Sequence, residues 1–127
     1  MIYAFKIAGA RAEEMASLSE VTAVAQKAAD ACRSIGMALS PCTVPQFGKP
    51  IFMLGEDEME MGMGIHGEPG IWRATIKPAD AVTDEMMDRL LADKPLGRGE
   101  RVSLLVNSLG ATPLEELYIL YRTPSRG

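Results

Sequence analysis

The stretch from Met59 to His66 constrains the fold most, because apolar and non-apolar residues alternate there without interruption. A period of two is the pattern of a β-strand that buries one of its faces. Pro69 and Gly70 end the pattern, and the extended run Ile71–Ile76 predicts a partner strand in a hairpin or a bulged pair. The alternating residues are Met59, Met61, Met63 and Ile65 on one face and Glu60, Gly62, Gly64 and His66 on the other.

The rest of the chain alternates between helical and extended patterns. Helices are predicted over the first fifteen residues, after a capping box at Ser17–Glu20, after Pro78, and after a second cap at Thr112–Glu115. Further strands are predicted over 35–44, 51–54 and 101–107. The expected fold is α/β, an α+β layered sandwich in which helices pack on a mixed sheet of four to five strands. We expect one domain over 1–127, with 123–127 as a loose tail.

Composition excludes several classes of function. The 127 residues carry 13 basic and 17 acidic side chains, and a net charge of −4 argues against a nucleic-acid partner. No apolar run reaches the length of roughly 18 residues that a membrane span needs. The first residues lack the features of a signal peptide, and two cysteines make no disulfide framework. We therefore expect a cytoplasmic protein.

The glycine-rich stretch around His66 is the sharpest candidate for chemistry. In a regular strand Gly62, Gly64 and His66 share a face, and two missing side chains beside the imidazole leave a shallow floor for a small ligand. Glu60 and Glu68 lie close enough in sequence to orient one ring nitrogen. From the residues alone the alternative stays open that His66 caps a turn and that the glycines only bend the chain.

A neutral imidazole can add to a carbonyl carbon, so such a site would select ketones and aldehydes over polyols. The acidic turn Glu56–Glu58 with Glu60 could hold Mg²⁺, but a solvated turn is the simpler interpretation. One histidine and two cysteines fit no common set of metal ligands, so no metal site is expected. The joint at 107–112 could hold a phosphate at the start of the following helix, but it lacks the phosphate-binding glycine motif, so the sequence supports a nucleotide site there only weakly.

Three stretches resemble the K subunit or K domain of the dihydroxyacetone (glycerone) kinase family: 35–45, 55–70 with its GIHGEPG motif, and 106–113. The resemblance implies that His66 holds the substrate carbonyl covalently as a hemiaminal, beside Gly62, Gly64 and Glu68. It also implies dihydroxyacetone or a related short-chain ketose or aldose as substrate. The phosphoryl donor is then expected on an ATP-binding L-type domain or subunit, as ATP with Mg²⁺ or as phosphate from a phosphotransfer system.

The resemblance covers only the central part of the second subdomain of such a K domain. The family's N-terminal half supplies other groups of the site, and no position here matches them. We therefore expect a chain that is inactive alone, that needs this missing half, and that forms a homo-oligomer through exposed apolar surface. The alternative is a non-catalytic oligomerising or binding module, a truncated relic of the kinase in which His66 has lost its role.

Overall fold

A computed structural model describes residues 1–41, 43, 48–50, 52–64 and 70–124. Contacts divide the chain into two compact units, Met1–Arg33 and Ser34–Gly127. None of the described helices is both long enough and apolar enough to span a bilayer. The single domain predicted over 1–127 stays a prediction, and each unit is described separately.

The first unit consists of two helices that pack against each other, α1 (Ile2–Glu13) and α2 (Leu18–Ala31). The capping box predicted at Ser17 is confirmed. The Ser17 hydroxyl accepts from the Glu20 N–H, and the Glu20 carboxylate accepts from the Ser17 N–H at 2.9 Å. Arg11 of α1 donates to Glu20 at 2.9 Å, so the cap of α2 is also tied to the preceding helix.

The second unit is built on a three-stranded antiparallel sheet in the order β1 (Gly36–Ala38), β2 (Glu58–Met63), β3 (Trp72–Thr75). The pairing of the central strand β2 with its neighbour β3 is the strand pairing that the sequence pattern predicts. The sheet is smaller than predicted and antiparallel rather than mixed within the described residues. The α/β class is confirmed, whereas the described residues form three strands and not the four to five that were predicted.

Two predicted strands are absent from the described part of the chain. Phe52–Leu54 has no strand structure, while Ile51 lies outside the described residues. Residues 101–107 belong to no strand in the structure, and Val102 is 66% exposed. The apolar composition of 101–107 suits a buried strand, but a strand also needs a hydrogen-bonding partner. No described strand pairs with it.

The core of the second unit lies between the sheet and the helix α3 (Ala79–Asp93). Met59 and Met61 are almost completely buried and pack with Val82 of α3. The partly buried residues around them are Met37, Trp72, Ala74 and Met86. The last helix, α4 (Leu114–Arg122), packs against α3. Arg122 there donates two hydrogen bonds of 2.6 Å to the Asp80 carboxylate in the first turn of α3.

The cap predicted for α4 is wrong. Pro113 is the residue before the helix, and no side chain caps it. The Thr112 N–H donates to the Ser108 carbonyl at 3.2 Å instead, within the turn that precedes the helix.

Candidate functional site

The predicted site residues fall into two groups. Gly62 lies inside β2 and Gly64 follows its last residue, and both are described. His66 and Glu68 lie outside the described residues, so their roles stay predictions. The ends of the segment that carries His66 are described, and they define the setting of the candidate site.

The first of these ends contains a β-bulge. Gly36 pairs with Met63 and Met37 pairs with Met61, so one step along β1 matches two steps along β2. Gly62 is the extra residue, and its φ of +77° is one that side chains on L-residues disfavour. Because a bulge shifts the alternation of side chains, the strict period of two does not continue past Met61. Accordingly Met63, although buried, does not belong to the cluster of Met59 and Met61.

The open floor predicted at Gly62 is not found. A Cβ atom at Gly62 would lie 2.8 Å from Cζ3 of Trp72 and 3.1 Å from Cγ1 of Ile71. The space that the missing side chain leaves is therefore filled by two residues from the other end of the segment. Gly62 serves close packing here, and its backbone is the part that a ligand could still contact.

The second end is held by a buried carboxylate. Glu60 is 5% exposed, and its Oε1 accepts from the Gly70 N–H at 2.9 Å. Its Oε2 accepts from Nε of Arg73 at 3.1 Å, on the strand position directly opposite. The neighbouring Ile71 N–H donates to the Met61 carbonyl at 2.8 Å. The Glu60 carboxylate and the Met61 carbonyl thus hold Gly70 and Ile71 against β2.

Glu60 has contacts that sequence spacing did not suggest. One of its oxygens accepts from the Gly70 backbone and the other from Arg73, and its predicted role toward the ring of His66 stays a prediction. The pairing with Arg73 follows from antiparallel register, which the sequence alone did not specify. The signal that could have found it is opposite charge at matching positions of the two strands.

A second polar cluster surrounds Trp72 on the same sheet. Its indole N–H donates to Glu85 of α3 at 2.9 Å, and the Arg89 guanidinium lies 4.5 Å from the ring centroid. Lys77 donates to the other oxygen of Glu85. This hydrogen bond, more than any other contact, lowers the pKa of Glu85. The cluster holds in place the ring that fills the space beside Gly62.

Within the described residues, no group of three or more histidine, cysteine or acidic side chains is placed to hold a metal ion. Of the acidic residues considered for Mg²⁺, Glu58 and Glu60 both contact Arg73. A separate apolar groove of about 290 Å³ lies on α4 and contains none of the predicted site residues. Its lining consists of Val106, Leu114, Leu117, Tyr118 and Tyr121.

Comparisons with known proteins identify the family of this chain. The model of the Dak1 domain matches residues 1–126. The dihydroxyacetone-binding subunit DhaK of PTS-dependent dihydroxyacetone kinase 1 from Listeria innocua is 47% identical over 114 residues, which cover 90% of this chain and 35% of that protein. The chain therefore spans about a third of the length of this curated relative.

Solved structures show the same fold. The dihydroxyacetone kinase operon co-activator Dha-DhaQ superposes with a TM-score of 0.88 at 34% identity, over 98% of this chain and 39% of that chain. The dihydroxyacetone kinase of C. freundii superposes with a TM-score of 0.85 at 36% identity, over 99% of this chain and 23% of that chain. Since the family model extends over nearly the whole sequence, the chain belongs to the Dak1 domain family.

Proposed function

We propose that this chain is the substrate-binding portion of a cytoplasmic dihydroxyacetone kinase-like enzyme. It holds a short-chain ketose or aldose, dihydroxyacetone first among them, while a partner phosphorylates it. The observation that carries this proposal is the match of residues 1–126 to the Dak1 domain, with the histidine motif inside it and a dihydroxyacetone-binding subunit as a relative at 47% identity.

In the proposed binding step His66 forms a hemiaminal with the substrate. The unprotonated ring nitrogen adds to the carbonyl carbon, a C–N bond forms and the C=O π bond breaks. The alkoxide oxygen gains the proton that the imidazolium releases, so no water is expelled and no oxidant is needed. The backbone at Gly62 and Gly64 and the side chain of Glu68 complete the proposed substrate contacts. A polyol such as glycerol offers no electrophilic carbon and is not retained.

The phosphoryl donor belongs to a partner in this proposal. An ATP-binding L-type domain or subunit supplies ATP with Mg²⁺ or phosphate from a phosphotransfer system, and an N-terminal half of the K domain supplies the remaining substrate contacts. One solved C. freundii kinase structure contains AMP-PNP and Mg²⁺, which supports a nucleotide donor in the family. The isolated chain is then inactive as a kinase and acts within a homo-oligomer.

The binding step can be tested on the isolated chain with dihydroxyacetone labelled with ¹³C at its carbonyl carbon. Hemiaminal formation converts this carbon from sp² to sp³, so its NMR signal moves far upfield. We expect this signal with the wild type and not with His66→Asn, the variant at the only histidine of the chain. Labelled glycerol serves as the control ligand. Persistence of the signal in His66→Asn would contradict the proposal, and absence of the signal from the wild type would count against binding by this chain alone.

The second candidate is a non-catalytic binding or oligomerising module. The observation that favours it is the TM-score of 0.88 to an operon co-activator, which is a regulator by its name. A coupled assay for ADP release separates the two candidates when the chain is mixed with a K-domain N-terminal half and an ATP-loaded L-type partner. Turnover that depends on His66 supports the kinase component, and ligand binding without turnover supports the module.

A further inference from the structure

The apolar groove on α4 has a rim that is open to solvent. One stripe of the helix lines it together with Val106, and the stripe consists of Leu114, Leu117, Tyr118 and Tyr121. These positions follow each other at steps of three, one and three residues, which is the spacing of a helix face that packs against another helix. Leu117 is buried, whereas Leu114 is 62% and Tyr118 is 69% exposed. The outer part of the stripe is therefore available to a partner.

The spacing of this stripe is the same in both directions along the helix. A twofold axis between Leu117 and Tyr118 brings Leu114 of one copy opposite Tyr121 of the other, and Leu117 opposite Tyr118. In such a closed dimer each copy offers the same surface to the other, which is the commonest symmetry of soluble oligomers. A second copy of this chain thus fits the stripe when the two α4 helices run antiparallel.

The charges beside the stripe fit the same arrangement. Glu115 lies in the first turn of α4 and Arg122 in the last, and a separation of seven residues places both on one side of the helix. In an antiparallel pair Glu115 of one copy comes near Arg122 of the other, and this contact occurs twice. A parallel pair would instead bring the acidic first turns of both helices together. Arg122 is 49% exposed, although it also holds Asp80 of its own chain.

The apolar surface continues beyond α4 along the chain. Val106 in the wall of the groove directly follows Leu105, and both Leu105 and Val102 are exposed. A standard interface buries about 800 Å² on each partner, and a fully covered aromatic side chain contributes about 150–250 Å² of it. The two tyrosines of the stripe fall short of this area by themselves. The surface at 102–105 is therefore needed as well, and the dimer should be weak and dependent on concentration.

We infer that the α4 face is the interface of a symmetric, antiparallel dimer of this chain. The inference rests on the proposed function only for the homo-oligomer named there, and it involves neither His66 nor a substrate. Pairing two copies removes two apolar faces from water at once, which is the driving force for association. Tyr118 of each copy then lies next to the twofold axis, against Leu117 of the other copy.

Tyr118 is the best position to change, because it is exposed and lies beside its own counterpart in the dimer. Tyr118→Glu places two carboxylates at the twofold axis, and we expect it to raise the dissociation constant by about tenfold or more in sedimentation equilibrium. Tyr118→Lys should have the same effect through two ammonium groups. An equimolar mixture of the two variants should recover the dimer, because opposite charges then meet at the axis.

Ile119→Glu is the matched control. Ile119 is the next residue of the same helix and is 48% exposed, but it does not line the groove. The variant introduces the same negative charge on the other side of α4, since one residue turns a helix by about 100°. We expect its dissociation constant to stay near the wild-type value. Urea unfolding of every variant establishes that folded proteins are compared.

Three results would overturn the inference: a wild type that stays monomeric at every concentration, equal losses in Tyr118→Glu and Ile119→Glu, or a mixture that recovers no dimer. A monomeric wild type would leave the face to a different polypeptide, such as the part of a relative that this chain does not span. The ¹³C adduct signal, measured on the same samples, tests substrate binding separately. A dimer without the adduct supports this inference alone, and the adduct without a dimer supports substrate binding alone.

Discussion

The ring of Trp72 occupies the space beside Gly62 in which any other residue would place its side chain. An added Cβ atom would lie 2.8 Å from Cζ3 of that ring. Gly62 also has a φ of +77°, which alone disfavours a side chain. Both constraints act at the bulge, where the alternation of side chains between the two faces of β2 shifts. The position of the indole therefore depends on glycine at this point of the strand.

Gly62→Ala should therefore destabilise the second unit by about 2–4 kcal/mol, the sum of backbone strain and overpacking. Gly99→Ala is the matched control, because Gly99 has a φ of +83° but open space around its Cα. Gly99→Ala should lower the free energy of unfolding by only about 1 kcal/mol, because it introduces backbone strain without a steric clash. Urea unfolding followed by the fluorescence of the single tryptophan measures both. Equal losses would show that contact with Trp72 adds nothing at Gly62.

The cap of α2 predicts a dependence of stability on pH. The hydrogen bonds from the Ser17 N–H and hydroxyl, together with Arg11, lower the pKa of Glu20 below its ordinary value of 4.5. The unfolded chain then binds a proton more readily than the folded one, so this contribution is present above pH 4.5 and is lost as the pH falls through the lowered folded pKa.

Unfolding of the helices by urea, followed by circular dichroism at several acidic pH values, checks this prediction. Glu20→Gln should remove this part of the pH dependence. Ser17→Ala should weaken it and should cost about 1 kcal/mol at neutral pH, because the helix loses its capping hydroxyl. The interpretation would be wrong if Glu20→Gln unfolded with the same pH dependence as the wild type.

Arg89 stabilises the indole of Trp72 through a cation–π contact of 4.5 Å. Arg89→Met keeps much of the aliphatic stem and loses the charge. We expect it to lower the free energy of unfolding by about 0.5–1 kcal/mol. Arg98→Met is the control, because it removes the same charge at an exposed arginine in the turn after α3, away from the ring. Its free energy of unfolding should stay within about 0.5 kcal/mol of the wild-type value. Denaturation monitored by Trp72 fluorescence compares them, and indistinguishable midpoints would argue against the contact.

Residues 101–107 belong to no strand of the described sheet and present exposed apolar side chains, among them Leu105, which is 51% exposed. We expect the isolated chain to self-associate as its concentration rises, since exposed apolar surface favours association between copies. Leu105→Lys should shift sedimentation toward the monomer. Leu96→Lys, at a similarly exposed leucine outside this stretch, should not. Concentration-independent sedimentation of the wild type would contradict the prediction.

Sequence reasoning succeeded where a few neighbouring residues decide the structure. The Ser17–Glu20 capping box and the pairing of the Met59 strand with the Trp72 strand are examples, because caps and hairpins depend on local hydrogen bonds and spacing. It failed at 101–107, where the composition suited a strand but no described partner is present. It also failed at Thr112, because the helix has Pro113 as its N-cap, and proline has no side-chain acceptor for the first helical N–H groups.

The histidine motif and the family resemblance were readable from the residues alone, because they depend on the identity and order of side chains. Only the tertiary structure decided that Gly62 forms a bulge filled by Trp72 and that Glu60 joins Gly70 to Arg73. These contacts depend on register between strands and on the return of a segment ten residues later in the chain. A pattern of period two carries no information about either, since one inserted residue reverses every face that follows it.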